Sequence, residues 1–155
     1  MLLLFLKEAN TIKGLLPDEI ALLSSLEVLY LAFNGLTGTI PTEVGLLKKL
    51  KDLAFAFNSN LDGSIPTEIG QCRNLTYLDL GVTRLTGSIP SEIGQCTKLT
   101  GLYLSNNYLD GSIPSEVGAL SNLIELDCYE NSVTGIIPKA LCNEKFDLND
   151  NITCA

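Results

Sequence analysis

The chain has 155 residues, of which 46 % are hydrophobic and 18 % charged, and it carries a net charge of −8 with no histidine. Its length and apolar content fit one domain with a continuous core. The acidic balance disfavours a nucleic-acid partner, because phosphate binding depends on clustered Lys and Arg. Without histidine, Ser-His-Asp and Cys-His catalysis are excluded.

The first predicted element is a strand in the apolar run of residues 1–6. This run is far shorter than a membrane span. It also lacks the charged start and the small-residue cleavage site of a signal peptide. We therefore expect the first strand of a repeat array here, rather than a targeting segment.

A period of 24 residues runs through the chain, marked by proline, glycine and asparagine. The six prolines are spaced by 24, 25, 24, 24 and 24 residues, and each has a glycine three positions before it. The longer spacing reflects one inserted residue in segment 58–60. The marker columns are Pro17, Pro41, Pro66, Pro90, Pro114 and Pro138, and Asn10, Asn34, Asn58, Asn107 and Asn131, with Thr83 in the fourth repeat.

Each repeat predicts four short pieces of structure, as the unit at residues 99–122 illustrates. Its LxxLxL segment fits a strand with leucines inward and the residues between them outward. The asparagine fits a turn in which its amide bonds backbone groups of neighbouring coils. The GxIP segment predicts an extended return, because proline restricts the residue before it. Proline then opens a short helical or 3₁₀ turn that glycine ends.

This repeat resembles the plant-type leucine-rich repeat, LxxLxLxxNxLxGxIPxxIGxLxxL, in six copies from about residue 2 to residue 146. The resemblance implies an α/β solenoid: a right-handed superhelix with a parallel β-sheet on its concave face and short helical or 3₁₀ turns on its convex face. We expect a single domain over residues 1–155, with a short closing strand at 146–155. The subclass occurs mainly in plant receptor ectodomains and secreted inhibitors, with related algal proteins.

The two ends depart from a typical member. Lys7 falls in a column that later repeats fill with Leu31, Phe55, Leu80, Leu104 and Cys128, and the cysteine-bearing N-terminal cap of plant ectodomains is absent. We expect a fragment of a longer protein, with a polar cap formed by Lys7 as the alternative. At the other end, Cys142 and Cys154 bracket the closing strand, and paired cysteines there recur in the family. A disulfide between them is our expectation, and two free thiols are the alternative.

The remaining cysteines and the repeated glutamates are interpreted as structural. Cys72 and Cys96 share a column with leucines, and Cys128 replaces an inward strand leucine, so all three predict small core side chains. One glutamate per repeat could suggest a metal site, but a carboxylate in the first turn of a short helix is the simpler interpretation. These glutamates are Glu19, Glu43, Glu68, Glu92 and Glu116.

No catalytic or cofactor-binding motif is found in the sequence. The sequence has no CxxC pair for zinc and no GxxxxGK[ST] or GxGxxG loop for phosphate. We therefore expect a protein that is not an enzyme and needs no cofactor or metal.

The outward strand positions give the functional prediction, because the repeat frees them from packing. On the concave face they carry six of the ten aromatic residues, and carboxylates gather in the later coils. Tyrosine anchors are favoured at protein interfaces, although aromatic residues also simply favour strands. The predicted partner-binding residues are Tyr30, Phe33, Phe57, Tyr77, Asp79, Tyr103, Asp127 and Tyr129, and Glu125 and Glu130 add to the acidic end.

Two function hypotheses follow. The first is a recognition module that binds a protein or peptide with a partly apolar, partly basic patch. The second is a structural or assembly subunit of a larger complex. Of two N-glycosylation sequons, the one at Asn74 is predicted to be exposed, while Asn151 falls in the asparagine column. An extracellular or secretory location is expected for the first hypothesis, and an organelle lumen for the second.

Overall fold

The computed structural model describes residues 2–5, 12–137, 146–147 and 152–154. Their strands alternate between two sides of a solenoid. The concave-side strands are β1 (Leu2–Phe5), β3 (Leu26–Tyr30), β5 (Asp52–Ala54), β7 (Tyr77–Asp79), β9 (Gly101–Tyr103), β11 (Glu125–Asp127) and β13 (Phe146–Asp147). The lateral strands are β2 (Lys13–Leu15), β4 (Gly35–Thr39), β6 (Asn60–Asp62), β8 (Thr86–Ser88), β10 (Tyr108–Asp110), β12 (Gly135–Ile137) and β14 (Ile152–Cys154).

The concave strands form one seven-stranded parallel sheet in the order β1-β3-β5-β7-β9-β11-β13. Leu53, Leu78 and Leu102 occupy equivalent positions in successive coils and are fully buried. A coil cannot bury these side chains alone, so stacking on its neighbours provides the core. The predicted solenoid with a parallel concave sheet is confirmed.

The asparagine column forms the predicted ladder. The Asn58 amide nitrogen donates to the carbonyls of Phe55 and Ala56 in its own turn and of Leu31 in the preceding coil. Its Oδ1 accepts the Leu36 N–H at 3.0 Å. The ladder therefore satisfies backbone groups that the tight turns leave unpaired. The same pattern recurs at Asn34, Asn107 and Asn131.

The convex side carries five 3₁₀ segments among the described residues, as predicted. They are Asp18–Leu22, Thr42–Leu46, Thr67–Gln71, Ser91–Gln95 and Ser115–Ala119. Two details differ from the sequence prediction. Proline is the extended residue before each segment, as at Pro66 with φ −67° and ψ 137°, rather than its first residue. Glycine lies inside each of the last four segments rather than ending it.

The glycine of the 3₁₀ segment is required by close stacking of coils. A Cβ placed at Gly70 would lie 2.3 Å from the carbonyl oxygen of Glu92 in the next coil. Because the obstacle is backbone, no rotamer change can relieve the contact. The close packing of neighbouring convex turns therefore explains the glycine of the P-[ST]-E-[IV]-G motif.

The ends are described in part. Along β1 the pairing shifts by one residue between Leu2 and Leu3, so the 24-residue offset that aligned Lys7 with Leu31 holds at Leu2 and becomes 25 residues from Leu3 to Phe5. Lys7 itself lies outside the described residues. At the other end, β13 pairs with β11 and β14 with β12, both in parallel. The predicted Cys142–Cys154 disulfide also lies outside the description, which omits Cys142 and gives only the backbone of Cys154.

Candidate functional site: the concave sheet

Four columns of residues face outward along the concave sheet and its adjoining turn. The first two lie on the strands. The column that contains Tyr77 comprises Val28, Asp52, Tyr77, Gly101 and Glu125, and the column that contains Tyr103 comprises Tyr30, Ala54, Asp79, Tyr103 and Asp127. The third, which we name the floor column, comprises Ala32, Ala56, Gly81, Ser105 and Tyr129. The fourth, which we name the rim row, comprises Phe33, Phe57, Val82, Asn106 and Glu130.

Three of the predicted tyrosines form a cluster across coils. The ring of Tyr77 lies 6.4 Å from that of Tyr30 in an edge-on arrangement and 5.2 Å from that of Tyr103 in a tilted one. Gly101 makes room for this packing, because a Cβ there would lie 2.8 Å from Cε2 of Tyr103. The cluster presents partly exposed aromatic surface over the four coils from β3 to β9, with one ring from each coil except that of β5.

Each tyrosine of the cluster has a carboxylate beside its hydroxyl. The Tyr77 hydroxyl donates to Oδ2 of Asp79 at 3.3 Å, and that of Tyr103 donates to Oε2 of Glu125. Burial, together with the neighbouring carboxylate, raises the pKa of Tyr103 to about 12 and that of Tyr77 further. For Tyr30, burial raises the pKa first, and the hydrogen-bonded Asp52 adds to it. The phenols are thus protonated donors that fix the ring positions.

Asp79 links the cluster to the floor column. Its Oδ1 accepts the Gly81 N–H at 3.1 Å. Burial raises the pKa of Asp79, the bonds from Gly81 and Tyr77 oppose the rise, and the charge of Asp127 adds to it. Asp127 makes the same kind of contact in its own coil, where its Oδ1 accepts the Tyr129 N–H at 3.1 Å.

The described part of the four columns carries only negative formal charges. Its five carboxylates are Asp52, Asp79, Glu125, Asp127 and Glu130. The nearby Lys51 directly precedes β5 and pairs with Glu27 at 2.7 Å. The described part of this face therefore presents a negative potential to solvent.

Phe33 and Phe57 are exposed and stacked, but they do not belong to the strands. Their rings are 4.2 Å apart and inclined by 9°, and their side chains are 53 % and 46 % exposed. Both residues follow the strand end and adopt left-handed backbone, with φ of 56° and 57°. Strand propensity therefore does not explain these two aromatic residues. For a side chain with a Cβ this conformation costs roughly 1–2 kcal/mol.

The whole rim row shares this left-handed conformation, with φ from 51° to 57°. This conformation is caused by the turn that the asparagine ladder stabilises. The Asn58 amide nitrogen donates to the carbonyls of residues 55 and 56, which directly precede Phe57 in the chain. The N–H of Phe57 in turn donates to the carbonyl of Gly81 in the next coil. Sequence reasoning missed this conformation. The signal available was the doubled Asn106-Asn107, since asparagine tolerates positive φ well.

Sequence reasoning also left Asp52 out of the predicted site and gave Glu125 no partner. Asp52 accepts a hydrogen bond from Thr76 Oγ1 at 2.8 Å and faces Tyr30. The Tyr77–Asp79 contact could be anticipated from its i, i+2 spacing on one strand face. The Tyr103–Glu125 contact could not, because it depends on the ring leaning across Gly101.

The remaining predicted residues are placed as follows. Cys72, Cys96 and Cys128 are fully buried free thiols, as predicted for core positions. Asn74 is half-buried rather than freely exposed: its amide nitrogen donates to the Lys48 carbonyl, and its Oδ1 accepts from Lys98. Its glycosylation stays a prediction.

The glutamate column lies in the first turns of the 3₁₀ segments. Within the described ranges, no group of three His, Cys, Asp or Glu side chains is arranged to hold a metal ion. The described helical segments are also all too short and too polar to cross a membrane.

The sequence matches the Leucine Rich Repeat family at residues 25–47, 74–96, 98–120 and 122–143, which is more than half of the chain. The chain therefore belongs to the leucine-rich repeat family. The coil containing the inserted residue falls between matched segments. No match was found among curated proteins.

Solved structures that share this fold include plant receptor ectodomains and a plant ice-binding protein. A TDR receptor is 41 % identical over 91 % of this chain, with a TM-score of 0.84. The ectodomain of the Arabidopsis thaliana membrane receptor kinase GASSHO1/SCHENGEN3, in complex with CASPARIAN STRIP INTEGRITY FACTOR 2, is 41 % identical over 83 %, with a TM-score of 0.80. The plant peptide hormone receptor RGFR1, in complex with RGF2, is 32 % identical over 93 %, with a TM-score of 0.82.

The chain is much smaller than these neighbours. It spans 25 % of the TDR receptor chain, 15 % of the GASSHO1/SCHENGEN3 chain and 22 % of the RGFR1 chain. The shared part is the plant-type repeat array itself, which identifies the chain as a plant-type leucine-rich repeat protein.

Proposed function

We propose that this chain is a non-catalytic recognition module that binds a protein or peptide on its concave sheet. The observation that carries the proposal is the cluster of Tyr30, Tyr77 and Tyr103, held in place by carboxylates. Rigid tyrosines supply large contact area at low conformational cost, and such side chains dominate interface energetics. The likeness to a peptide hormone receptor in complex with RGF2 supports a peptide or protein ligand.

The partner carries a patch that is partly apolar and partly basic. Apolar surface would pack on the tyrosine cluster, and basic groups would face Asp79, Glu125 and Asp127. The acidic columns are also unsuited to phosphate, so nucleic acid is not the ligand. An extracellular or secretory location accords with this role and with the receptor ectodomains that share the fold.

A test needs variants that separate this face from the rest of the molecule. Tyr77→Ala/Tyr103→Ala removes the centre of the cluster, and Tyr108→Ala is a matched control. Tyr108 lies on lateral strand β10 and is 62 % exposed. The immobilised variants and the unchanged chain would capture proteins and peptides from an extract of the source organism. Circular dichroism would verify folding.

The proposal predicts a partner that is retained by the unchanged chain and by Tyr108→Ala but lost by the folded double variant. Equal retention by all three chains would contradict it.

The alternative, a structural subunit within a larger complex, has a specific observation in its favour. Leu15 and Leu22 in the first coil are 72 % and 78 % exposed. Exposed leucines are common singly, but two on one coil can mark a contact with another subunit. A partner lost by Leu15→Ser/Leu22→Ser and retained by the tyrosine double variant would favour this alternative.

A further inference from the structure

We propose that a channel on the concave side binds an extended peptide whose apolar side chain packs on Phe33 and Phe57, while a lysine or arginine about six residues away faces Glu130. This inference rests on the proposed function and makes its ligand class specific. The channel runs between the rim row and the strand column that contains Tyr30 and Tyr103.

The width of the channel selects an extended chain. Its floor is built of small residues in the first four coils, with Ala56 and Gly81 buried at the centre, and of Tyr129 in the fifth. The rim row lies three residue steps along the chain from the tyrosine-bearing column, and at ~3.3 Å per step the two backbones are at most about 10 Å apart. A helix with its side chains is roughly 10–12 Å across and would not fit between the two walls. An extended chain, which occupies about 4.8 Å in a sheet, fits.

The rim row is not dictated by folding. The same left-handed turn is built with Asn106 and Glu130 in later coils, so it does not require an aromatic residue. Phenylalanine at φ near 57° is strained, and its ring is half exposed in both coils. A strained and exposed apolar pair points to use in binding, because neither the turn nor the core needs it.

The rim row also sets the length of the peptide that can span it. Four coil steps separate Phe33 from Glu130, and at ~4.8 Å per step they span about 19 Å. An extended peptide covers this distance in about six residues at ~3.3 Å each. Along the rim row the side chains change from two aromatic rings, through Val82 and Asn106, to the carboxylate of Glu130.

The charge at the far end selects a basic group. Glu130 is exposed, Asp127 lies in the same coil, and no described residue of the four outward columns is Lys or Arg. A cationic side chain placed there finds opposite charge, whereas an acidic one would be repelled. The structure thus assigns the apolar end of the peptide to the early coils and the basic end to the late coils.

A random 12-residue peptide library, selected by display on the unchanged chain, tests the assignment without assuming a sequence. Two variants change the walls: Phe33→Asn/Phe57→Asn, which adopts the residue found at position 106, and Glu130→Lys. A third, Ser105→Leu, narrows the channel floor and leaves the rim row intact. Tyr108→Ala is the control, and circular dichroism verifies each fold.

We expect enriched peptides to carry an aromatic or aliphatic residue five to seven positions from a Lys or Arg. Affinity should fall at least ten-fold for Phe33→Asn/Phe57→Asn, for Glu130→Lys and for Ser105→Leu, and stay unchanged for Tyr108→Ala. Should the phenylalanine variant fail to fold, Ser105→Leu and Glu130→Lys carry the test.

Three results would overturn the assignment: no enrichment, enriched peptides without a basic residue, or equal affinity for the rim-row variants and the unchanged chain. Peptides that lose binding only to Tyr77→Ala/Tyr103→Ala would overturn the channel and leave the proposed function standing. Peptides indifferent to every concave-face variant would contradict both.

Discussion

The hydroxyl of Thr83 donates a hydrogen bond to Oδ1 of Asn107, at the coil where threonine stands in the asparagine column. In neighbouring coils an asparagine Oδ1 accepts the N–H of a leucine in the coil before it, as Asn107 does from Leu85. The corresponding N–H in the coil before Thr83 belongs to Leu61, and it donates instead to the Asn58 carbonyl at 2.9 Å. The inserted residue near Ser59 forms this local turn, so the insertion and Thr83 compensate for each other.

This compensation predicts a coupled pair of changes. Deleting Ser59 alone should destabilise the fold, because the Leu61 N–H loses its partner. Adding Thr83→Asn to the deletion should restore a normal ladder step, with a coupling free energy of about 1–2 kcal/mol. Urea unfolding of the single and combined variants measures this energy, and strictly additive effects would contradict the compensation.

Asn58→Ala should destabilise the chain by roughly 2–4 kcal/mol, because the buried Leu36 N–H and three carbonyls lose their partner together. The matched control is Asn60→Ala, whose side chain is exposed and should change the free energy of unfolding by less than about 0.5 kcal/mol. Thermal and urea unfolding of the two variants provide the comparison. Similar losses for both would mean that the ladder contributes little.

Gly70→Ala should destabilise by about 2–3 kcal/mol or more, because its Cβ would collide with the Glu92 backbone. Gly81→Ala is the matched control. A Cβ at Gly81 would find its nearest atoms at 3.4 Å, and the backbone there is not left-handed. We expect a change below about 1 kcal/mol for the control, and a tolerated Gly70→Ala would contradict the close stacking of the 3₁₀ segments.

The tyrosine cluster predicts a loss of stability at alkaline pH. Folding raises the pKa of Tyr77 and Tyr103 above the ordinary value of 10. The stabilising effect is therefore complete below pH 10 and is lost as pH rises through the folded pKa, which for Tyr103 is about 12. The melting temperature of Tyr77→Phe/Tyr103→Phe should fall less steeply between pH 10 and 12. Identical profiles for this variant and the unchanged chain would refute the prediction.

The core thiols should be unreactive in the native protein. Burial raises the pKa of Cys72 to about 11 and that of Cys96 and Cys128 to about 12. The reactive thiolate is therefore rare at pH 8. Alkylation with iodoacetamide, followed by peptide mapping, should label these three residues only after denaturation. Native labelling at any of them would show that its coil opens readily.

The features that can be predicted from the sequence are those that depend only on residues within one repeat. Leucine spacing gives the concave sheet, asparagine the ladder, and GxIP the extended return, because each depends on residues within one repeat. The rim row escaped prediction because its φ values arise from bonds to the next coil, as from Phe57 to Gly81. The exposure of Phe33 and Phe57 can therefore be predicted from their outward positions in the repeat, but their left-handed backbone cannot.

The electrostatics of the site show the same division. The Tyr77–Asp79 contact lies within one strand and can be predicted from spacing. The Tyr103–Glu125 contact joins residues 22 apart and requires the space above Gly101.

The register of the lateral strands also could not be predicted from the 24-residue period alone. The pairing offset changes at the insertion, from Gly14 with Leu36 to Gly38 with Leu61.

The central claim is that the concave sheet is the recognition surface. The most direct measurement is backbone amide chemical-shift mapping of the ¹⁵N-labelled chain while a peptide selected on it is added. The account predicts shifts concentrated in β5, β7, β9, β11 and the rim row, with little change at Tyr108 or in the 3₁₀ segments. Shifts centred on the convex segments or the lateral strands, with the concave amides unmoved, would contradict it.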